Sequence, residues 1–354
     1  MATASELDKP STKLEPSAEP HQPSAKRPKL PPPLSVAIKY TRQHPDRKRC
    51  GAVAGKDGLS LLPCTFIEQH GRIPCDFDPG ELGNEMIPVS CDVRDARVLD
   101  PQPTLGTHGY QLSKCALTPL KPEDANAAGA ALELHYREVA AAIKELLGAS
   151  EAVSYCHCRR SATAEVQQSS AGGPFAGYAH TDQAADSWSG LLPKIVDDWA
   201  EQGPPHIPAA FAQRCAAARR YAVVTAWRYL GPAEACRSSH LAVLDPHSVA
   251  TDDVLPFDIA AFGNVGRNYR LRHTDDAAQR HAWWYWSGLL PSRELVLLTI
   301  YDSSHPVAVG AEGSAPFAGL PVTSIFHSAF SDPSASPEEP QRESIDTRVI
   351  LLWD

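Results

Sequence analysis

The feature that most constrains the fold of this chain is a series of short apolar or alternating segments in its second half. Glycine, proline, serine and aspartate separate the segments, as they do between strands. The segments are AVSYCHC (152–158), YAVVTAWRYL (221–230), LAVLD (241–245), AWWYWSGLL (282–290), ELVLLTIYD (294–302), VTSIFHSAF (322–330) and IDTRVILLW (345–353). Many short strands with turns between them predict a barrel or sandwich and argue against a doubly wound sheet.

One strongly periodic helix precedes most of this series. Apolar residues recur at helical spacing from Leu132 to Leu147, and Gly148 follows as a residue that can end the helix. Two further helices are predicted near 192–202 and 208–220. The chain is therefore predicted to be mainly β with flanking helices.

Composition divides the chain into three parts. Residues 1–35 are rich in proline and lack aromatic residues, which predicts a disordered tail, and its KRPK at 26–29 is a candidate nuclear address. Residues 36–120 contain short apolar segments broken by Gly, Pro and Asp, which predict an N-terminal β-rich region packed on the core. Residues 121–354 form the predicted core, with a helical insertion near 190–220.

Charge and cysteine content restrict the partners of this protein. A formal net charge of −9 argues against a nucleic-acid or anionic-membrane binder, since both need a basic surface. Nine cysteines behind a polar N-terminus predict reduced thiols in the cytoplasm. No apolar run approaches the ~20 residues of a membrane helix. A small-molecule partner is expected, and the sequence gives no indication of oligomeric state.

Common nucleotide and serine-hydrolase motifs are missing from this sequence. It has no Gly-x-Gly-x-x-Gly loop, phosphate-binding loop, Gly-x-Ser-x-Gly elbow or Cys-x-x-Cys pair. Cys156, His157 and Cys158 are adjacent, but neighbouring residues of a strand point to opposite faces, so ordinary strand residues are the simpler interpretation.

The pattern His-x-Asp occurs three times. On a strand its two side chains face the same way and can offer a nitrogen and an oxygen to one metal ion. The triplet at His44 lies in a basic, solvated segment, and the one at His273 is polar on all sides. Only His180 and Asp182 follow an apolar lead, PFAGYA, although a turn histidine without a ligand role also fits the pattern.

Two later segments supply what such a site would need. His327 lies in SIFHSAF, where it is either a core histidine or a third ligand. Arg342 and Ser344 lie two residues apart, so that a guanidinium and a hydroxyl can hold a buried carboxylate. The alternative is a surface Arg342 paired with Glu343 or Asp346.

These motifs stand within seven blocks that resemble a known family. The order His-x-Asp, distal His, Arg-x-Ser is similar to that of Fe(II)- and 2-oxoglutarate-dependent dioxygenases with a double-stranded β-helix (jelly-roll, cupin-like) core. The seven blocks resemble, in order, those of the fungal gibberellin-desaturase / AsaB-type (CmcJ-like) hydroxylase/desaturase family. The blocks are LLGASEAVSYCHCRRS, YAHTD, VVTAWRYLGP, LAVLDPHSV, HAWWYWSGLLPSRELVLLTIYDS, HSAF and RESIDTRVIL, from about residue 88 to the end.

The resemblance implies specific roles for residues of this chain. Iron would be bound by His180, Asp182 and His327. The distal carboxylate of 2-oxoglutarate would be held by Arg342 and Ser344, with Arg348 and Tyr301 as further candidates. With O2 as the oxidant, such enzymes cleave a C–H bond of a small molecule, here expected in fungal secondary metabolism, by hydroxylation, desaturation or ring closure.

Substrate contacts and competing functions stay open at this point. Arg160 and Arg228 either bind an acidic substrate or pair with internal aspartates. Trp283 and Tyr285 either line the pocket or belong to the core. A cupin-like metal-dependent hydrolase is one alternative, although it would not need Arg342. A catalytically inactive binding protein of the same fold is another, although it would not need the intact triad.

Overall fold

The computed structural model describes residues 31–43, 50–55, 58–60, 84–125, 129–163, 172–173, 175–184, 209–232, 234–261, 264–304 and 324–354. One compact unit extends from Pro32 to Asp354. The tail up to residue 30, the triplet at His44 and the helix predicted near 192–202 lie outside the described residues.

Strands dominate the described part of the chain. They are β1 (Leu34–Gln43), β2 (Cys50–Gly55), β3 (Gly58–Ser60), β4 (Asn84–Asp95), β5 (Tyr110–Lys114), β6 (Glu151–Arg160), β7 (Gly172–Gly173), β8 (Arg220–Gly231), β9 (Ser239–Leu244), β10 (Val254–Ala261), β11 (Asn264–Leu271), β12 (Trp283–Tyr285), β13 (Glu294–Asp302), β14 (His327–Ser331) and β15 (Glu343–Trp353). The α-helices of the same residues are α1 (Leu105–His108), α2 (Ala130–Leu147), α3 (Ala209–Ala217) and α4 (Ala277–Arg280).

The larger sheet has the strand order β5, β13, β8, β15, β6, β7. Strands β13, β8, β15 and β6 pair antiparallel in turn. Most residues of β8, β13 and β15 are buried. These strands are covered on both faces, and this explains why they read as continuous apolar runs instead of alternating ones.

Helix α2 covers the outer face of this sheet. Its Val139 and Ile143 are buried in one cluster with Val224 of β8 and Val349 of β15. The helix ends before Gly148, which adopts the left-handed conformation with φ 62°. The helix predicted from apolar periodicity is therefore confirmed, including the glycine that ends it.

The smaller sheet has the order β1, β4, β12, β9, β14, and a further sheet has the order β11, β10, β2, β3. Leu241 and Val243 of β9 pack in one buried cluster with Trp227 of β8 and Leu298 of β13. The larger and smaller sheets thus enclose a shared core. Sheets stacked in this way form the predicted jelly roll, and the mainly β fold class is confirmed.

Strands from residues 36–120 belong to both sheets. Strand β4 pairs in parallel with β12, and β5 pairs antiparallel with β13. The early segments therefore extend the sheets of the later ones. The boundary predicted near residue 120 stays a prediction. Helix α3 lies within the helix predicted at 208–220.

Six cysteines are free thiols, namely Cys91, Cys115, Cys156, Cys158, Cys215 and Cys236. Burial raises the pKa of the Cys236 thiol to about 11, so this side chain is a protonated core residue at neutral pH. In the described part of the chain, none of the helices combines the length and the apolarity that a membrane crossing requires.

Replacing Gly148 with alanine tests the end of α2. An L side chain at φ 62° is strained, so Gly148→Ala should lower the free energy of unfolding by about 1 kcal/mol, as measured by urea denaturation. Gly129 precedes the same helix with extended backbone, and nothing lies within 4 Å of an added Cβ. Gly129→Ser should therefore not destabilise the protein, and equal losses in the two variants would contradict this account.

Candidate metal centre

Two histidines meet where β14 begins. His180 and His327 form an antiparallel bridge in which each main-chain N–H donates to the other's carbonyl, at 3.1 and 2.9 Å. Directly paired residues of antiparallel chains place their side chains on the same face. The centroids of the two rings accordingly lie 4.3 Å apart. The backbone therefore fixes two imidazoles beside each other.

Each imidazole is also held in one tautomer. Nδ1 of His180 lies 2.9 Å from the carbonyl oxygen of Tyr178, and Nδ1 of His327 lies 3.0 Å from that of Ile325. A carbonyl oxygen only accepts, so Nδ1 carries the hydrogen in both rings. The lone pair is left on Nε2, the form in which a neutral histidine binds a metal.

Asp182 completes the group from two residues beyond His180. Its Oδ1 lies 3.6 Å from Nε2 of His327. Thr225 of β8 donates its hydroxyl hydrogen to Oδ2 at 2.5 Å, and Nη2 of Arg348 on β15 lies 3.4 Å from Oδ1. The larger sheet thus orients a carboxylate that faces a histidine of the smaller sheet.

The protonation states suit metal ligands. Burial alone would raise the pKa of Asp182, but Arg348, His327 and the hydrogen bond from Thr225 outweigh it and hold that pKa well below its ordinary value. Burial, together with His327, lowers the pKa of His180 well below its ordinary value. At neutral pH Asp182 is a carboxylate and His180 is a neutral imidazole, the forms that bind divalent cations.

The donor set fits a divalent transition metal. One ligand atom from each of His180, Asp182 and His327 lies within 4.8 Å of the others. Two imidazole nitrogens and one carboxylate oxygen on one side of an ion form the facial triad of non-haem Fe(II) oxygenases. Such a triad leaves the remaining coordination positions open to small molecules.

A second two-histidine, one-carboxylate group in the described residues is formed by His108, Asp245 and His247. Asp245 Oδ1 accepts from both the main-chain N–H and the ring Nδ1 of His247, at 2.9 and 2.8 Å. These bonds cap the short 3-10 helix Pro246–Ser248, and His247 is exposed. A capping role explains this group, so the buried triad is the stronger metal candidate.

Arg342 lines the same cavity as the triad. It is buried, its Nη1 donates one long hydrogen bond to the carbonyl of Ser239 at 3.4 Å, and its Nε has no acceptor. Its guanidinium carbon lies 4.4 Å from the ring centroid of Phe175 and 5.1 Å from that of Trp227. Burial lowers its pKa to about 10, which still leaves it protonated at neutral pH.

The carboxylates nearest to Arg342 in the sequence are engaged elsewhere. Glu343 pairs with Arg159 at 2.8 Å, and Asp346 pairs with Arg160 at 3.1 Å. Arg342 has no ion pair within the described chain. A buried cation without a counter-ion is costly. The cavity is therefore suited to an anion from outside the chain.

The other predicted cosubstrate residues are placed differently. Ser344 is fully buried next to Arg342 in the chain, and its hydroxyl has no hydrogen-bond partner. Arg348 contacts the candidate ligand Asp182 itself. Tyr301 packs against Tyr221, with ring centroids 5.2 Å apart, and is not part of the described cavity lining.

Of the two arginines expected at a substrate, the structure brings one to the cavity. Arg160 lines it and forms the ion pair with Asp346. Arg228 lies on the opposite face of β8 from the lining residues Thr225 and Trp227, because side chains alternate along a strand.

On that outer face Arg228 is surrounded by residues of other elements. It donates to the carbonyl of Thr118 at 2.7 Å and to the hydroxyl of Ser292 at 2.8 Å, and it lies 3.0 Å from Nδ1 of His135 on α2. This corrects the expectation that it approaches the pocket.

The predicted aromatic lining belongs to the core of the smaller sheet. Trp283 donates its indole N–H to the hydroxyl of Tyr40 at 3.0 Å. Tyr285 packs against Phe330, with ring centroids 5.4 Å apart. Strand β12 lies between β4 and β9, so both side chains fill the interior beside β1 and β14. The core interpretation of this pair is the one that the structure favours.

Thr225 is the site residue that sequence patterns do not single out. It lies in an almost wholly apolar stretch, AVVTAW, and a lone threonine in a strand is usually explained by strand preference. Its spacing from Trp227 is the only signal in the sequence that could have identified it. The two residues lie two positions apart, so both side chains lie on the strand face that points toward Asp182.

Comparisons with known proteins agree with this geometry. A family model described as Oxidoreductase/YMDC permease-like domain matches residues 81–352. The hydroxylase/desaturase efuI of Hormonema carpetanum is 28% identical over 274 residues, which are 74% of this chain and 83% of that protein.

Solved structures of the iron and alpha-ketoglutarate-dependent endoperoxidase NvfI share the fold. NvfI aligns with a TM-score of 0.61 at 21% identity, covering 90% of this chain and 98% of that one. A variant of NvfI gives a TM-score of 0.63 at 21% identity, with coverages of 91% and 98%.

Removing the Thr225 hydroxyl tests whether it orients Asp182. Thr225→Val keeps the side-chain shape but frees Oδ2, so it should weaken Mn(II) binding about 10–100-fold, as measured by competition with a chelating dye. Thr347→Val is the matched control, because Thr347 bonds to His135 on the outer face at 2.9 Å. It should leave Mn(II) affinity unchanged, and a similar loss in both variants would contradict the assignment.

Proposed function

We propose that this chain, which belongs to the oxidoreductase family whose model matches residues 81–352, is a non-haem Fe(II) enzyme that consumes 2-oxoglutarate and O2. The membership and the similarity to efuI bear out the hydroxylase/desaturase family predicted from the sequence blocks. One observation carries the proposal. A single cavity holds both a facial donor set and a buried arginine that no carboxylate of the described residues pairs with.

Iron would be held by His180, Asp182 and His327. The carbonyls of Tyr178 and Ile325 place the hydrogen of each neutral ring on Nδ1, so that Nε2 can bind the metal, and Thr225 fixes the rotation of the carboxylate. These ligands need little rearrangement, because backbone pairing already holds the histidines together. Pre-arranged ligands lower the ordering cost of binding.

2-Oxoglutarate would be anchored by Arg342, with the Ser344 hydroxyl beside it. A guanidinium in an aromatic cage forms a strong, directional pair with a carboxylate. The anchor holds the distal carboxylate, so that the 2-oxo acid end of the cosubstrate is left free to reach the triad. Arg348 acts through Asp182, as a counter-ion that keeps this ligand ionised.

Iron held by His180, Asp182 and His327 would supply the chemistry that couples the reduction of O2 and the oxidative decarboxylation of 2-oxoglutarate to the oxidation of a substrate C–H bond. The protein positions that bond and limits water, since Leu241, Leu298 and Ala329 supply apolar wall to the cavity. Hydroxylation, desaturation or ring closure then depends on how the substrate is placed.

Two alternatives fit the site less well. A cupin-like metal-dependent hydrolase would use the triad, but it would leave a buried Arg342 without a role. An inactive binding protein would not need three metal-ligating side chains around one point. The oxygenase accounts for both features together.

The substrate is inferred to be a small organic molecule of fungal secondary metabolism. The family resemblance and the efuI match support the fungal context. The net charge of −9 disfavours nucleic acid as a partner. Free cysteines in the described residues favour a reducing compartment such as the cytoplasm.

Anaerobic titration tests the iron and cosubstrate sites together. Protein with Fe(II) should develop the weak visible charge-transfer band of an Fe(II)–2-oxoglutarate chelate when 2-oxoglutarate is added. Asp182→Ala should abolish the band by removing a ligand. Asp275→Ala changes the twin triplet at His273, which lies outside any strand, and should leave the band intact. Absence of the band in the unaltered protein would refute the proposal.

Arg342→Gln separates the cosubstrate site from the metal site. Losing a charge-assisted pair costs about 1.5–3 kcal/mol, so the 2-oxoglutarate concentration at half-maximal band intensity should rise roughly 10–100-fold. Fe(II) affinity without 2-oxoglutarate should stay unchanged, because Arg342 is not a ligand. Unchanged 2-oxoglutarate affinity in this variant would contradict the anchoring role.

A further inference from the structure

Four arginines of the described residues are buried, namely Arg159, Arg228, Arg270 and Arg342, and of these Arg159 is paired with an acid, Glu343. The half-buried Arg160 and Arg348 face Asp346 and Asp182. Arg228 has no carboxylate partner in the described residues and donates to neutral oxygen acceptors, while its Nε has no acceptor. Two further buried arginines of the described residues lack a carboxylate partner. They are Arg342, already assigned to the cosubstrate, and Arg270 of β11.

Arg270 is the cross-strand neighbour of a proposed iron ligand. It forms an antiparallel bridge with His180, and the main-chain hydrogen bonds run between the residues on either side of this pair. Such a non-hydrogen-bonded pair is the closer type, with the two Cβ atoms ~4.5–5.5 Å apart and on the same face. Since His180 also pairs with His327, the side chains of His327, His180 and Arg270 start from one row.

The surroundings of Arg270 match those of Arg342. It is 1% exposed, and its guanidinium carbon lies 3.9 Å from the ring centroid of Tyr178 and 4.4 Å from that of Phe257. The Tyr178 ring in turn packs against His180, with centroids 4.9 Å apart. Both cations are thus held between two aromatic rings beside the triad.

The hydrogen-bonding capacity of Arg270 is only partly used. Its Nε and Nη1 are buried and have no acceptor. Within the described residues no carboxylate reaches it to form an ion pair. A cation in this state is poorly stabilised by the chain alone, and an incoming carboxylate would supply both the missing charge and the missing acceptors.

We propose that Arg270 binds a carboxylate of the substrate, so that the enzyme acts on a small carboxylic acid. The identification of the bound acid as a substrate rests on the proposed function, whereas carboxylate binding at Arg270 can be tested without it. Arg342, directly before β15, holds the cosubstrate, and Arg270, on β11 of a different sheet, holds the substrate. The rings of Tyr178 and Phe257 offer an apolar surface next to the bound acid. Arg270 takes the role that the sequence suggested for Arg228.

Benzoate and benzamide are matched probes for this site, since they share a ring and differ in charge. In protein saturated with Mn(II) and 2-oxoglutarate, calorimetry should detect one benzoate per chain and at least tenfold weaker binding of benzamide. Arg270→Gln should weaken benzoate binding at least tenfold. Equal binding of the two probes, no binding of benzoate, or unchanged benzoate affinity in Arg270→Gln would overturn the proposal.

The Arg342→Gln protein without metal separates this proposal from the proposed function. Arg342→Gln removes the proposed cosubstrate anchor, so benzoate can no longer bind at that position. The benzoate binding of this variant should be lost when Arg270→Gln is introduced as a second substitution. Retention of benzoate binding in the double variant would overturn the proposal. Failure of the Mn(II)–2-oxoglutarate complex to form would count against the proposed function instead.

A melting measurement distinguishes a binding role from a structural one. Arg270→Met removes a buried charge that has no carboxylate partner and keeps an unbranched chain between the rings. It should not lower Tm of the ligand-free protein, and it should abolish the rise in Tm that benzoate produces. A clear drop in Tm without ligand would show that Arg270 supports the fold, and would contradict the proposal.

Discussion

The site depends on the reciprocal pair of main-chain hydrogen bonds between His180 and His327. That pairing joins the segment 175–184 to β14 at the edge of the smaller sheet and sets two imidazoles on one face. Asp182 reaches the same point because it is two residues further along. Arg270 lies on the other side of His180 in the same row. Backbone pairing, not side-chain packing, therefore determines the relative positions of these groups.

The larger sheet supplies the electrostatic half of the site. Thr225 and Arg348 orient and ionise Asp182, while Arg160 and Asp346 neutralise each other on the same cavity wall. Among the described residues, Arg342 is left as a positive charge without a carboxylate partner. A divalent cation at the triad would add to that charge, and a dicarboxylate such as 2-oxoglutarate would offset it. The cavity is in this sense complementary to the pair of ligands proposed for it.

Much of this could be predicted from the sequence because it depends on local patterns. The helical spacing from Leu132 to Leu147 predicted α2 and the residue at which it ends, and the apolar runs predicted the strands. His180, Asp182, His327 and Arg342 could be proposed together because the order of the motifs resembles a family. The structure brings all four to one cavity.

What could not be predicted depends on which face of a strand meets the core. Strand β8 is buried on both faces, so its sequence does not reveal that Thr225 points inward and Arg228 outward. Trp283 and Tyr285 would likewise suit either a cavity wall or the core. Only the position of β12 within the smaller sheet places them in the core. Arg270 carries no local signal, because its importance comes from pairing with His180, a contact between residues far apart in the chain.

X-ray absorption at the iron edge of the anaerobic Fe(II)-loaded protein, recorded before and after 2-oxoglutarate is added, tests the central claim most directly. The account predicts two imidazole ligands in both spectra and a change in the remaining coordination when 2-oxoglutarate binds. Iron without two imidazole ligands, or a spectrum that 2-oxoglutarate does not alter, would contradict it.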